Sequence, residues 1–262
     1  MRGGVVGNVT RGTTNPNRMR RVDRWITGTQ ARRLLSHPPG PRAVDLGYGA
    51  SPITAVELFT RLRHVRPDLR LTGVEIEPSR VAAAKPLERE GLDFRVGGFE
   101  LPVEGRPVLV RAFNVLRQYE ESDVEGIWDL VRSRLAPGGI FVEGTCDEIG
   151  RRAAWVTLDV DGPRALSLAV RFGSFERPSD VAERLPKALI HRNVPGERVH
   201  AFLSALDAAW LAAAPLAAFG VRQRWLAMCR SAKADGWPVL HGPGRWRLGE
   251  ITVRWEAVAP GG

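Results

Sequence analysis

The chain has 262 residues, of which 44% are hydrophobic and 26% are charged, which is ordinary for a globular protein. It has no apolar run of roughly 18 residues or more, so no membrane-spanning helix is predicted, and its first residues lack the apolar core of a secretory signal. Two cysteines, Cys146 and Cys229, are too few for a disulfide framework or a zinc site, so we expect a cytoplasmic protein without a bound metal.

The net charge of +9 and the isoelectric point of about 10.7 have two interpretations. A strongly basic protein is a candidate for binding RNA or DNA. However, arginine carries nearly all of the positive charge, because Lys85, Lys187 and Lys233 are the only lysines. A GC-rich genome produces the same skew without any selection for phosphate contacts. We therefore give the charge little weight as evidence for nucleic acid.

The first part of the chain predicts an arm followed by a helix. Residues 1 to about 18 are rich in Gly, Thr and Asn and show no apolar periodicity. From Met19 to Ser36 apolar residues recur at helical spacing, and a proline-rich stretch then ends the helix. The arm is basic between Thr10 and Arg21, which leaves two interpretations open. It either closes over ligands, with arginines holding an anionic substrate, or is a basic tail without a binding role.

The stretch AVDLGYGASP, residues 43–52, is the most informative part of the sequence. Apolar residues lead into Asp45, glycines follow at Gly47 and Gly49, and a Ser-Pro pair opens a helix. A parallel strand that turns tightly against a nucleotide-like ligand needs this order, because glycine permits positive φ and has no Cβ. The phosphate-binding glycine patterns are absent, and Asp45 would repel a pyrophosphate. The stretch therefore favours a cationic ligand.

This pattern resembles the first motif of the class I S-adenosylmethionine methyltransferases, whose glycine loop lies against the cofactor. The resemblance implies that Asp45, Gly47, Tyr48 and Gly49 bind S-adenosylmethionine. The third glycine usual in that family is Ser51 here. The chain is similar to an arginine-rich, actinobacterial-type member, and its residues leave the subfamily open.

A second buried strand is predicted from Leu69 to Ile76, with a helix after it that runs to about Glu90. Glu75 ends this strand about 28 residues beyond Gly47, which is roughly the spacing of the ribose-binding acid in dinucleotide folds. The resemblance implies that Glu75 accepts hydrogen bonds from both ribose hydroxyls and that Ile76 lies beside it in the cofactor site. The alternative for Glu75 is an ordinary solvated charge at a strand end.

The third predicted strand and its loop, residues 92–102, match the segment that brackets adenine in the family. The family usually has Gly-Asp there, and its acid accepts from the adenine amino group. This chain has Gly98 and Phe99 instead. The resemblance assigns both to the cofactor site, with Phe99 stacking on adenine and Glu100 supplying the acceptor one position later.

The remaining match covers two further strands and supplies the candidates for catalysis. A fourth strand over residues 107–113 leads to the loop beside the transferable methyl group, and a Pro-Gly-Gly turn leads into a fifth strand. The resemblance places Asn114 in the cofactor and acceptor sites and Tyr119 at the acceptor. Asp147 and Glu148 follow the fifth strand and either act as a general base or cap a helix. A base is needed only if the acceptor loses a proton, since the cofactor brings the electrophile.

Cys146 ends the fifth strand, at the position of the catalytic cysteine in RNA cytosine-5 methyltransferases. Those enzymes also carry Pro-Cys after the fourth strand, where this chain has Phe113 and Asn114. We therefore interpret Cys146 as a buried small hydrophobe rather than a nucleophile.

After the fifth strand, two short strands joined by a turn at 161–163 predict an antiparallel edge hairpin. Residues 178–189, 197–213 and 221–234 predict helices, and the tryptophans of the tail are interpreted as core. The predicted fold class is α/β, a doubly wound, mostly parallel, Rossmann-like sheet of the class I methyltransferase type with a C-terminal helical and hairpin appendage. The predicted divisions are an N-terminal arm and helix (1–40), a cofactor-binding core (41–172) and an appendage packed on the core (173–262).

The sequence thus predicts a methyltransferase that uses S-adenosylmethionine, with a small molecule favoured as the acceptor. One alternative is an RNA methyltransferase that uses the basic arm. Another is a cofactor-binding or regulatory protein without transfer activity. The residues leave the acceptor atom and the oligomeric state open.

Overall fold

The computed structural model describes residues 5–9, 12 and 14–261. Nine strands form one sheet within these ranges. They are β1 (Arg42–Leu46), β2 (Arg70–Glu75), β3 (Leu92–Val96), β4 (Leu109–Phe113), β5 (Ile140–Cys146), β6 (Arg152–Asp159), β7 (Gly162–Val170), β8 (Val239–Leu240) and β9 (Glu250–Arg254). The helices are α1 (Arg20–Thr29), α2 (Ala31–Leu35), α3 (Ile53–Val65), α4 (Pro78–Ala84), α5 (Val124–Arg134), α6 (Lys187–Ile190), α7 (Arg198–Ala212), α8 (Val221–Ala234) and α9 (Pro243–Trp246).

The strand order is β3-β2-β1-β4-β5-β6-β7-β9-β8, and the first five strands of this order are parallel. Helices cover both faces, so β4 and β5 are buried along their whole length, as expected of parallel strands. The order reverses between β1 and β4. Ligands of such sheets bind at the carboxyl ends of the strands beside this switch point. The predicted α/β, doubly wound fold class is confirmed.

The second half of the sheet is antiparallel and wider than the sequence indicates. The predicted hairpin exists as β6 and β7, but it does not form the edge, because β9 pairs with β7 from Ala165 to Ala169. The short β8 then pairs with β9. An apolar strand such as β7 would expose unpaired backbone groups at an edge, and the tail satisfies them. Residues of the predicted appendage therefore extend the sheet itself.

Two apolar layers enclose the sheet. Helices α1 to α4 pack on one face, and α5, α7 and α8 pack on the other. Tryptophans contribute to both layers, with Trp25 and Trp155 on the first and Trp225 on the second. Of the tail tryptophans predicted as core, Trp246 is buried, and Trp237 and Trp255 are partly buried against the second layer. In the described ranges no helix is both long and apolar enough to cross a membrane.

Three predicted helices are shorter or interrupted. The helix from Met19 to Ser36 breaks at Gln30 into α1 and α2, after a Thr-Gly-Thr stretch of low helix propensity. The helix predicted to reach Glu90 ends as α4 at Ala84, since Pro86 has no N–H to donate. The helix over 178–189 becomes a 3-10 turn and the short α6, which are separated by another proline.

Candidate functional site

The carboxyl ends of the parallel strands bring most of the predicted site residues to one edge of the sheet. A cavity of about 120 Å³ is lined by five of them. They are Asp45, Gly47, Tyr48, Gly49 and Asn114. A second cavity, of about 20 Å³, is lined by Glu75, Ile76, Gly98, Phe99 and Tyr119. Gly47 lines both, so the two cavities are neighbours on either side of the glycine turn.

The turn after β1 requires its glycines. Gly47 and Gly49 have φ of 70° and 82°, which is the left-handed region that L side chains rarely adopt. A Cβ on Gly47 would lie 2.6 Å from a methyl group of Val115. The Gly47 N–H donates to the carbonyl of Val74 (2.7 Å), which fixes the turn to the adjacent strand.

Glu75 closes the turn from the neighbouring strand. Its side chain is buried, and one carboxylate oxygen accepts from the Gly49 N–H at 2.9 Å. The other oxygen accepts from the N–H groups of Ile76 (3.1 Å) and Glu77 (3.3 Å) and from the Arg80 guanidinium (3.4 Å). The alternative of a solvated strand-end charge is therefore wrong. Glu75 is a buried carboxylate aimed at the glycine turn.

Asp45 is paired to a cation that the sequence analysis did not identify. Arg111 of β4 donates to both Asp45 carboxylate oxygens, at 2.8 and 2.7 Å, and also to Asp23 of α1. Burial opposes the charge of Arg111, but the two carboxylates more than offset it and raise the pKa of the guanidinium. Any cationic ligand would have to share Asp45 with Arg111. The available signal was a single arginine inside the apolar run of β4, because a buried charge needs a partner.

The N-terminal arm crosses this edge and contacts the loops after β1, β3, β4 and β5, the third of these through Asn8 and Tyr119. Phe99 N–H donates to the Val6 carbonyl (2.9 Å), and Ala50 N–H donates to the Gly12 carbonyl (2.9 Å). The Arg18 guanidinium donates to the Asp147 carbonyl (2.9 Å), beyond β5. Residues 1–4, 10, 11 and 13 of the predicted arm lie outside the described residues.

Asn114 and Tyr119 lie at opposite ends of the loop after β4. Asn114 has φ of 60°, and its side-chain oxygen accepts from the Cys146 N–H (3.0 Å), which ties the ends of β4 and β5 together. The Tyr119 hydroxyl accepts from the Asn8 N–H of the arm, and its ring meets Phe99 edge-on at 5.6 Å. Burial raises the pKa of Tyr119, so its hydroxyl stays protonated at neutral pH.

Asp147 and Glu148 lie beyond the two cavities and line neither of them. The Asp147 carboxylate accepts from three backbone N–H groups that lead into β6, those of Ile149, Arg151 and Arg152. It therefore caps a turn rather than a helix. The Glu148 side chain is exposed, and its carbonyl accepts from Asn15 of the arm (2.9 Å).

Cys146 is buried beside the larger cavity. Its sulfur lies 3.6 Å from the sulfur of Met19 and 3.4 Å from the Asn114 amide nitrogen. Burial raises the pKa of the thiol, which disfavours the thiolate that a nucleophile needs. The interpretation of Cys146 as a buried small residue agrees with its exposure of 1%.

Glu143 of β5, which its place near the acceptor end of the fifth strand made a candidate for acceptor contact, is instead fully buried. It faces the apolar layer that contains Trp128, and neither carboxyl oxygen has a hydrogen bond of ordinary geometry within the described residues. Burial raises the pKa of Glu143 to about 8, which the nearby Trp128 indole only partly opposes. The carboxyl is therefore protonated at neutral pH. Across the same ranges, no group of three or more His, Cys, Asp or Glu side chains is placed to hold a metal ion.

No family model matches the chain, and no curated protein matches it. Solved structures with partial likeness include human N-acetylserotonin methyltransferase in complex with SAM, at 22% identity and a TM-score of 0.33, over 51% of this chain and 39% of that one. Magnesium protoporphyrin IX methyltransferase from Synechocystis with bound SAH is 16% identical at a TM-score of 0.36, over 48% of this chain and 52% of that one. A SAM-dependent methyltransferase from Clostridium acetobutylicum is 14% identical at a TM-score of 0.37, over 60% of this chain and 69% of that one.

The matched region thus spans about two fifths and one half of the first two of these proteins. Likeness at this distance carries no argument about what this chain binds.

Proposed function

We propose that the chain is a methyltransferase that uses S-adenosylmethionine and acts on a small molecule. One observation carries the proposal: at the switch point of a doubly wound sheet, the Gly49 N–H is bound to the buried strand-end acid Glu75. In a phosphate-binding turn, the N–H groups would instead be free to donate to an anionic ligand. An acid beside the turn suits a ligand with hydroxyl donors and a positive centre.

The residues on this edge fit the parts of such a cofactor. Glu75 would accept from the ribose hydroxyls, in exchange for part of its present bonds. Gly47 and Gly49 have no Cβ, so their backbone can approach the cofactor closely. Their positive φ would strain any other residue there. The loop at Gly98 and Phe99 would hold the adenine. Asp45, shared with Arg111, and Asn114 would surround the methionine end.

S-adenosylmethionine supplies an electrophilic methyl group when bound. The chain then needs to orient the acceptor and exclude water, which arm residues 14–18 and the strand-end loops are placed to do. Asn114 is the polar side chain nearest to an acceptor in this proposal, whereas Tyr119, predicted at the acceptor, lines the cavity assigned here to adenine. The Asp147 carboxylate accepts from three backbone N–H groups of its own turn. A general base would therefore have to be another side chain or a group of the acceptor itself.

A small acceptor is favoured because arm residues 14–18 and the strand-end loops cover the larger cavity. An RNA acceptor has a different observation in its favour, a basic cavity of about 1120 Å³. Arginines line it, and Glu104 is the single acid among the described lining residues. This cavity lies at the amino ends of the strands, and β1 alone separates the two edges by about 17 Å. A basic surface on the far edge would tether RNA without placing a base at the methyl group. Its arginines are Arg32, Arg33, Arg42, Arg70 and Arg106.

Calorimetry with S-adenosylhomocysteine tests the cofactor assignment. We expect Glu75→Gln to bind at least about tenfold more weakly than wild type, because a bond from a hydroxyl to a charged acceptor is lost. Glu90→Gln, an exposed acid, serves as the matched control and should bind like wild type. A folded wild-type protein that does not bind would refute the proposal.

Methyl-labelled S-adenosylmethionine, incubated with separate metabolite and RNA fractions of a cell extract, distinguishes the acceptors. Label in the metabolite fraction supports the small molecule, and label in RNA supports the alternative. RNA affinity should also fall steeply as salt is raised. Binding of S-adenosylhomocysteine without label in either fraction would indicate the inactive, regulatory protein.

A further inference from the structure

The backbone of Val6 is bound by the loop after β3 through two hydrogen bonds. The Phe99 N–H donates to the Val6 carbonyl at 2.9 Å. The Val6 N–H donates to one Glu100 carboxylate oxygen at 2.8 Å, and the other oxygen accepts from the Gly98 N–H at 2.9 Å. Both hydrogen bonds involve the Val6 backbone, and the residue is 42% exposed, so the loop recognises the peptide group rather than the side chain.

This donor and acceptor pair matches one edge of adenine. Adenine presents an amino donor next to a ring-nitrogen acceptor, and Val6 presents an N–H donor next to a carbonyl acceptor. A loop that offers one backbone N–H beside one carboxylate oxygen satisfies either group. Phe99 and Glu100 therefore have the hydrogen-bonding pattern needed to read adenine and to reject a base without the amino group.

The next arm residue fills the space where an adenine ring would lie. Gly7 has φ of 143°, and a Cβ on it would lie 3.5 Å from Ile76, 3.6 Å from the Phe99 ring and 3.1 Å from the Tyr119 hydroxyl. The cavity left among these residues measures about 20 Å³, which is room for about one water molecule. The arm and an adenine ring do not fit there together.

We propose that Val6 and Gly7 occupy the adenine subsite as a built-in competitor, and that S-adenosylmethionine binds by displacing them from Phe99 and Glu100. The inference rests on the proposed function and names how that site is regulated. The cofactor's apparent affinity is then reduced by the fraction of molecules in which the arm is bound. Binding also releases residues 5–9, whereas a lid that closes over a ligand would be held more tightly when the ligand is bound.

Val6→Pro in the full chain tests the competition, because proline removes the N–H that Glu100 accepts and alters no residue of the loop. Val9→Pro is the matched control, since Val9 is 51% exposed and its N–H makes no hydrogen bond to the described residues. We expect Val6→Pro to bind S-adenosylhomocysteine about fivefold or more tightly than wild type and Val9→Pro to match wild type. Hydrogen exchange in residues 5–9 should rise when S-adenosylhomocysteine is added to wild type.

Equal or weaker binding by Val6→Pro, or slower exchange in residues 5–9 on binding, would overturn the inference and leave the cofactor assignment intact. If wild type and Val6→Pro both fail to bind while remaining folded, the proposed function fails and the inference with it.

S-inosylhomocysteine, in which a keto group replaces the adenine amino group, tests the reading by Phe99 and Glu100. Wild type should bind it at least about tenfold more weakly than S-adenosylhomocysteine. The ring N–H of hypoxanthine would face the Phe99 N–H, and its keto oxygen would face the Glu100 carboxylate. Glu100→Ala should lose most of this preference. Equal binding of the two ligands by wild type would show that this loop does not read the base.

Discussion

Asp45 and Arg111 are direct register partners on adjacent parallel strands, and their side chains form a buried, two-bonded ion pair at 2.8 and 2.7 Å. Asp23 of α1 accepts a hydrogen bond from the third nitrogen of the same guanidinium, Nη1. The N-terminal helix is therefore fixed to the strand end that carries the candidate site. The Asp45 carboxylate, which the sequence pattern assigns to a cationic ligand, therefore also stabilises this part of the fold.

Arg111→Met should lower the free energy of unfolding by about 3–5 kcal/mol, because it leaves Asp45 buried without its cation and Asp23 with Arg61 alone. Urea denaturation monitored by tryptophan fluorescence measures the loss. Arg164→Met is the matched control, since the Arg164 side chain is 49% exposed beside Asp159 and its pair is screened by solvent. Similar losses for both variants would contradict a structural role for the buried pair.

Glu143 should make stability depend on pH. Its carboxyl is protonated in the folded protein up to a pKa of about 8, whereas in the unfolded chain it ionises near its ordinary value of 4.5. The folded state thus binds the proton more tightly, and stability should fall as pH rises from about 4.5 to 8, by at most about 5 kcal/mol, and then level off.

Glu143→Gln should remove this part of the pH dependence and be more stable than wild type at pH 9. Urea midpoints of both proteins across pH 5 to 9 give the difference, and Glu90→Gln controls for the loss of an exposed acid. Parallel curves for wild type and Glu143→Gln would contradict the assignment of a raised pKa to this carboxyl.

Gly47→Ala should destabilise the turn for two separable reasons. Its φ of 70° disfavours any L side chain by about 1 kcal/mol, and its Cβ would lie 2.6 Å from Val115. Gly105→Ala carries the φ penalty alone, because Gly105 has φ of 72° and nothing within 4 Å of an added Cβ. Chemical denaturation should show a larger loss for Gly47→Ala, partly recovered when Val115→Ala is added. Equal losses at the two glycines would show that the contact with Val115 yields at no cost.

Cys146 should be inert in the folded protein. It is buried and its thiol pKa is raised, so Ellman's reagent should react with it only after unfolding. Cys146→Ala should also keep S-adenosylhomocysteine binding and methyl transfer. Rapid labelling of the native protein, or complete loss of transfer with binding retained, would favour the cytosine-5 alternative.

Much of the site could be predicted from local pattern. The glycine turn, the acid Glu75 at the end of the next strand and the order of strands and helices follow from periodicity and turn chemistry between near neighbours in sequence. Residues 221–234 were likewise predicted as a helix with the observed bounds. Pro86 and Pro186 end helices that apolar periodicity alone would continue.

Contacts between distant segments were not predictable in this way. Asp45 and Arg111 are 66 residues apart, and Asp23 and Arg111 are 88 apart, so neither pair leaves a spacing signal. No spacing signal predicts the hydrogen bond between Val6 and Phe99 or the pairing of β9 with β7. None predicts that Glu143 is buried in an apolar layer either. Strand order and register decide these contacts, and they depend on how the whole sheet packs.

The sequence by itself thus determined the fold class and the acid-glycine turn, because each depends on residues close together in the chain. The tertiary structure decided which cation neutralises Asp45, that the tail completes the sheet, and that Val6 lies on Phe99 and Glu100. Those outcomes depend on the free energy of burying charges and backbone groups against partners from remote segments, and only the folded chain brings those partners together.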